Sequence, residues 1–480
     1  MARKKNADAD RGHAEHSKAA ALQEGMAGTM PRHLKVTMMG AGSGFTTVVL
    51  NDILLIPGLK SIEIALVDTD RKRLTLITRV MKKIAELRGH DPSIITASTK
   101  RREVMAGSHY IINCIEVSGV ECVRHDNDIP GEYGVHQCIG DTIGPGGLFK
   151  ALRTIPVWLD MLRDAEELCP EALVLNYTNP MNMMCLAAGR VSSMRVVGLC
   201  HSVQGTSHQL AQRAGVPQSE LEFECAGINH LAWFTTLRHK GKDLYPKLMA
   251  QARKELAERK VPGEAEEFWD LVRKDVMLHF GAFVTESSGH LSEYLPYYRK
   301  RPDLLKKYMV PRYGGESGFY ADNWPNWRKA SDDYRAGMLT GEKPLDQPRS
   351  WEYASYIVEA REKDAPYRIH GNVMNRHRGA GALISNLMHD GCVEVACFID
   401  RNGVNPTPYG VLPRQMAALC EANMRMFDLG AQAAIEKSRE LAIHALMLDP
   451  LTMAVCSPAE IKAMALELFA AEKKFLRGYK

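Results

Sequence analysis

No stretch of the sequence approaches the roughly 18–20 consecutive apolar residues that a membrane-spanning helix needs. The first 30 residues are mixed in charge and lack the apolar heart of a secretory signal, while Asp8, Asp10 and Glu15 argue against a transit peptide. The eleven cysteines form no Cys-x-x-Cys pair and no regular spacing. An odd count without a framework excludes a disulfide scaffold and implies reduced thiols in a cytoplasmic protein. No basic stretch is interleaved with aromatics and the net charge is only +4, which leaves nucleic acid without a binding face. Internal repeats and low-complexity tracts are also missing.

What remains is the composition of a globular enzyme, 45% hydrophobic and 25% charged. A chain of 480 residues exceeds one ordinary core and implies two closely packed lobes without a flexible linker. The expected organisation is a mobile N-terminal extension over 1–32, outside the fold, then a Rossmann-like domain over 33–210. A mixed α+β domain over 211–480 follows, carrying substrate, metal and oligomer contacts.

Short apolar runs end at residues 39, 67, 115, 176 and 199, with helical patterns between them. This alternation predicts an α/β fold with a parallel, right-handed sheet. Past about residue 220 the pattern loosens. Two strands are expected around the turn at Gly227–His230, a third at Val393–Ile399, and mostly helix from Leu412 to Leu448.

The first run leads into Gly40-Ala41-Gly42-Ser43-Gly44-Phe45. Small residues between a strand and a helix let the backbone approach a pyrophosphate, whose charge meets the helix N-terminus. Asp68 ends the next strand, where a carboxylate takes ribose hydroxyls and favours NAD over NADP. Phe45 stands where the last glycine of G-x-G-x-x-G belongs. The competing reading is a tight turn that only packs helix on strand.

Cys200-His201-Ser202, Asn179-Pro180 and His230 follow three further apolar runs, offering a thiol, an imidazole and a carboxamide to one crevice. Thiol and imidazole are ordinary ligands of a divalent transition metal. Each alone is as readily a buried apolar cysteine or a hydrogen-bonded turn histidine, and the distance from Cys200 to His230 is no local metal motif.

Taken together, GAGSGF, GDTIGPGGLFKALRTIP, NYTNPMN, GLCHSVQG, GINHLAWF, GHLSEYLPYYRK and LDPLT make the chain similar to glycoside hydrolase family 4, in that family's order over roughly residues 34 to 460. The resemblance implies NAD and a divalent metal, typically Mn²⁺, as cofactors. Cys200 and His230 would be metal ligands, and Asn179 and His201 would bind substrate. Tyr294 matches the catalytic base, with Tyr297 and Tyr298 nearby in the same aromatic cluster. His201 or Asp141 would protonate the leaving group. The implied route oxidises sugar C3 with NAD⁺, removes the C2 proton, eliminates the aglycone, adds water and returns the hydride. A metal thiolate also implies that activity needs a reductant.

NYTNPMN with CHSVQG looks most like the α-galactosidase branch. The substrate implied is thus a small-molecule α-galactoside, and the assembly a homodimer or homotetramer. Two alternatives stand beside it. One is a C6-anionic sugar (a glucuronide or sulfosugar) paired with the basic segment Arg299–Arg312. The other is a net NAD-dependent dehydrogenase, which would accumulate NADH.

Overall fold

The computed structural model describes residues 25–118, 120–376 and 381–480. Among these, thirteen strands form one sheet. Its parallel half contains β1 (Leu34–Met39), β2 (Ile62–Val67), β3 (Ile95–Ser98), β4 (Tyr110–Asn113), β5 (Leu173–Asn176) and β6 (Arg195–Leu199), in the order β3-β2-β1-β4-β5-β6. This is the doubly wound order, with its switch point between β1 and β4. The α/β expectation therefore holds. β1 reads as a near-continuous apolar run because helices cover both faces of a parallel sheet, and all its residues but Lys35 are buried.

The helix Arg71–Leu87 shows how local signals agree here. Asp70 accepts hydrogen bonds from Lys72 N and Arg73 N at its start, while Leu74, Ile77, Val80, Met81 and Ile84 are buried at helical spacing. The same helix follows Asp68, so its start fixes that residue's position.

β7 (Leu221–Ile228), β8 (Leu231–His239), β9 (Lys242–Asp243), β10 (Phe283–Val284), β11 (Tyr367–Met374), β12 (Cys392–Asp400) and β13 (Gly403–Pro406) continue the sheet on the far side of β6. β11 pairs antiparallel with β6 and β12 with β11. Hydrogen bonding thus runs on past residue 210, joining the two expected lobes through one sheet. Of the extension expected over 1–32, residues 1–24 lie outside the described residues. Residues 25–32 are held against the helix Tyr353–Lys363: Arg32 pairs with Glu362 at 2.7 Å, and Met26 N donates to Glu359 Oε1 at 2.7 Å. That end of the extension belongs to the fold, because buried carboxylates on the helix recruit it.

Candidate active site

The glycine-rich turn sits at the carboxyl end of β1. Gly40 has φ +74°, and a Cβ there would lie 2.4 Å from Cys114 O at the end of β4, so only glycine fits. Gly42 N donates to Asp68 Oδ2 at 2.7 Å and Asp70 N to Asp68 Oδ1 at 2.8 Å. Arg335 donates to the carbonyls of Gly42 and Ser43, tying the long helix Phe319–Thr340 onto the turn. Beside it opens a cavity of about 600 Å³, whose lining includes Ser43, Gly44, Phe45, Asp68, Asp141 and Asn179. The size, the switch-point location and the adjoining helix N-terminus fit a dinucleotide.

Cys200 follows β6, and His230 lies in the β7–β8 turn with φ +61°. Cys200 Sγ is 3.5 Å from His230 Nε2. Glu286, at φ +73°, completes the group: one ligand atom from each of the three lies within 4.8 Å of the others. Two non-glycine residues held at positive φ in one cluster are a sign of imposed geometry. Burial lowers the His230 pKa to about 4, leaving a neutral imidazole free to ligate. Burial, with the Glu286 and Glu394 charges, pushes the Cys200 thiol well above its ordinary value. A cation is what such a thiol needs to become a thiolate. Burial works against the Glu286 charge, but the imidazoles of His290, His230 and His201 outweigh it and hold the carboxyl near 2. Sulfur, nitrogen and carboxylate oxygen therefore fit a divalent transition metal.

Asn179 Nδ2 donates to Asp141 Oδ2 at 3.3 Å, and Lys150 Nζ to the same oxygen at 3.2 Å. Burial opposes the Asp141 charge, yet Lys150 chiefly, with the nearby imidazoles and Thr142, holds its carboxyl below the usual range. That environment favours the Asp141 anion. Tyr294 is buried with its ring 6.3 Å from that of His230, and among the described residues its hydroxyl has no hydrogen-bond partner. Burial and the anions Asp141, Glu293, Cys200 and Glu286 raise its pKa far above 10. Tyr297 is exposed, and Tyr298 donates to Asp275. His201 packs on Trp351, ring centroids 5.6 Å apart, with Nδ1 3.6 Å from Glu352 Oε1. Together with Glu286 it borders a second cavity of about 720 Å³, lined also by Gln209, Gln212, Gln251 and Trp351.

The sequence pattern of Family 4 glycosyl hydrolases matches residues 35–216, and that of the Family 4 glycosyl hydrolase C-terminal domain matches residues 225–452. The chain belongs to glycoside hydrolase family 4. An α-galactosidase of Bacillus subtilis is 38% identical over 459 residues, covering 93% of this chain and 100% of its own. An α-galactosidase of Rhizobium meliloti is 38% identical over 453 residues, covering 93% and 89%. Among solved structures, a 6-phospho-α-glucosidase from gut microorganisms in complex with NAD and Mn²⁺ superposes with a TM-score of 0.75. It is 20% identical and covers 92% of this chain and 99% of its own.

Within this family 4 fold, Glu286, Lys150, His290 and Trp351 escaped the sequence reading. Glu286 directly precedes Ser287, whose side chain caps the helix Ser288–Tyr294, so a carboxylate before a serine cap was the available signal. Lys150 faces inward from the helix Gly144–Leu168, where a buried lysine inside an apolar stripe marks a paired carboxylate. His290 Nδ1 lies 3.3 Å from Glu286 Oε1.

Proposed function

We propose that this family 4 member hydrolyses neutral α-galactosides with NAD⁺ and a divalent metal, without net oxidation. The observation that carries the reading is a shared seam. Asp141 and Asn179 line the dinucleotide-sized cavity, and the loop after the neighbouring strand carries Cys200 of the thiol–imidazole–carboxylate cluster. The two α-galactosidases at 38% identity support the sugar, and the gut enzyme's NAD and Mn²⁺ support the cofactors.

When bound, NAD⁺ would supply a reversible hydride acceptor and the metal would supply Lewis-acid polarisation of the sugar oxygens. Cys200, His230 and Glu286 would hold the ion, and Asn179, tethered by Asp141, binds sugar hydroxyls. Tyr294, packed against His230, removes the C2 proton as its phenolate, a form that the cation held by Cys200, His230 and Glu286 would favour by offsetting the surrounding anions. His201, bordering both the cluster and the larger cavity, protonates the departing aglycone, and Asp141 serves as a fixed anion. Glu286 is a second reading for the base, since it is already ionised. Exchange of C2 hydrogen for solvent deuterium, measured in Tyr294→Phe with its metal content checked, separates the two: loss of exchange with the metal retained assigns the base to Tyr294, and retained exchange assigns it to Glu286.

A C6-anionic sugar finds little support in Arg299–Arg312. Arg299 is buried and spends its donors on His136 O, Ser292 Oγ, Gly315 O and Ser317 Oγ. Arg301 pairs with Asp303, and Arg312 with Glu267. Among the described residues no helix is long and apolar enough to cross a membrane. Eleven free thiols support a cytoplasmic setting.

The deciding experiment is p-nitrophenol release from α- and β-glycosides of galactose, glucose, glucuronate and C6-sulfonated sugars, with Mn²⁺ and a thiol reductant, with and without NAD⁺. The expected result is α-galactoside hydrolysis that requires NAD⁺ and leaves no net NADH. NADH accumulating with turnover of an unglycosylated substrate would make the protein a dehydrogenase.

A further inference from the structure

Away from the site above, a second thiol–imidazole–carboxylate group joins two distant parts of the chain. Cys122 and His125 stand at the start of the helix Val123–Glu132, and Glu472 ends the helix Pro458–Ala471. One ligand atom from each of the three lies within 4.8 Å of the others. Cys122 and Glu472 are each only 1% exposed. Among the described residues, neither His125 Nδ1 nor Glu472 Oε1, both buried, has a hydrogen-bond partner. Buried polar atoms are nearly always satisfied, so two orphans in one cluster imply a ligand shared between them.

The charges say what kind of ligand. Arg153 Nη1 donates to Asp126 Oδ1 at 2.9 Å and to Glu472 Oε2 at 2.5 Å, and Nη2 to Asp126 Oδ2 at 2.7 Å. One guanidinium thus faces two carboxylates and a thiol. A divalent cation that displaces the protons of Cys122 and Glu472 would face three anions (with Asp126) and the one guanidinium of Arg153, a net two negative charges that it cancels. Such an ion would use the outward oxygen of Glu472, the one Arg153 leaves free.

We propose that Cys122, His125 and Glu472 form a second, structural metal site for a zinc-class divalent cation. Sulfur, nitrogen and oxygen donors, with Cys122 and Glu472 buried and His125 half-buried, suit that class, with water as a fourth ligand. The ion clips the C-terminal helix to the helix Val123–Glu132, next to the Lys474–Glu121 ion pair at 2.9 Å. It does not depend on the glycosidase reading.

Metal content of the full chain tests the proposal. Wild-type protein loaded with Zn²⁺ and desalted should retain about two equivalents per chain. The Cys200→Ser/His230→Ala chain should retain one, and with Co²⁺ should keep a near-ultraviolet thiolate-to-cobalt absorption. Adding Cys122→Ser or, separately, His125→Asn should abolish both signals, with circular dichroism reporting which variants keep the fold. A Cys200→Ser/His230→Ala chain that keeps its fold but retains no metal overturns the proposal. So does metal that persists when Cys122 or His125 is replaced.

Discussion

Lys150 and Asp141 form a buried ion pair, Nζ to Oδ2 at 3.2 Å, at the edge of the glycine-rich cavity. Glu116 Oε2 is a further 3.5 Å neighbour of the same ammonium. Removing one partner of a buried pair leaves an uncompensated charge and costs about 3–5 kcal/mol. Lys150→Met should therefore destabilise the protein by that amount in urea melts near neutral pH. Asp141→Asn added to it should recover part of the loss, as expected of residues in direct contact. Additive losses in the double variant would mean that the two groups act independently.

The same ion pair bears on the proton donor. An ionised Asp141 cannot protonate a leaving group, whereas His201 borders the cavity into which an aglycone would depart. Removing a general acid slows poor leaving groups by roughly 10²–10⁴-fold and spares good ones. His201→Gln should show that split between an alkyl galactoside and p-nitrophenyl galactoside, read as kcat. Asp141→Asn should slow both equally. The reverse pattern would return the role to Asp141.

Gly40 and Gly44 make a controlled pair. Alanine at position 40 puts a Cβ 2.4 Å from Cys114 O at φ +74°, whereas at position 44 the nearest atom is Ser331 Oγ at 3.5 Å. The left-handed conformation alone costs an alanine about 1–2 kcal/mol. Gly40→Ala should lower the melting temperature and abolish NAD⁺ binding by calorimetry. Gly44→Ala should keep the fold. Equal NAD⁺ affinity in Gly40→Ala and wild type would show that the turn can shift without harm.

How much could be read beforehand follows from these residues. The β1–turn–helix unit and Asp68 were legible because strand, glycines and carboxylate lie within 35 residues of one another. The parallel strands β5 and β6 were legible as apolar runs. β11 was not: its sequence YRIHGNVM lacks a strand's alternation, since neighbouring strands and helices bury polar His370 and Asn372 along with Ile369. Glu286 and Lys150 were not legible either, because what defines them is a partner far away in sequence. Cys200 and His230 were visible as candidates, but only the β7–β8 turn brings them to 3.5 Å.

Asp52 provides a pH test distant from the metal cluster. It is buried in the helix Thr46–Leu54 and accepts hydrogen bonds from Ser350 N, at 2.9 Å, and from Ser350 Oγ. Burial, the largest influence, lifts its carboxyl to about 7, against the pull of the Ser350 hydrogen bonds and Arg349. A carboxyl whose folded pKa is raised is fully stabilising below its unfolded value, and that contribution is lost as pH rises through the folded one. Between about pH 5 and about pH 8, wild type should lose roughly 2–3 kcal/mol relative to Asp52→Asn, given about 1.4 kcal/mol per pH unit while the folded group stays protonated. Urea melts of both proteins across that range measure the difference. The segment at stake leads directly into Trp351, which packs on His201, so loosening it should also raise KM at the alkaline end. A stability difference that stays flat across the range would mean that Asp52 is ionised throughout, with Ser350 and Arg349 outweighing burial.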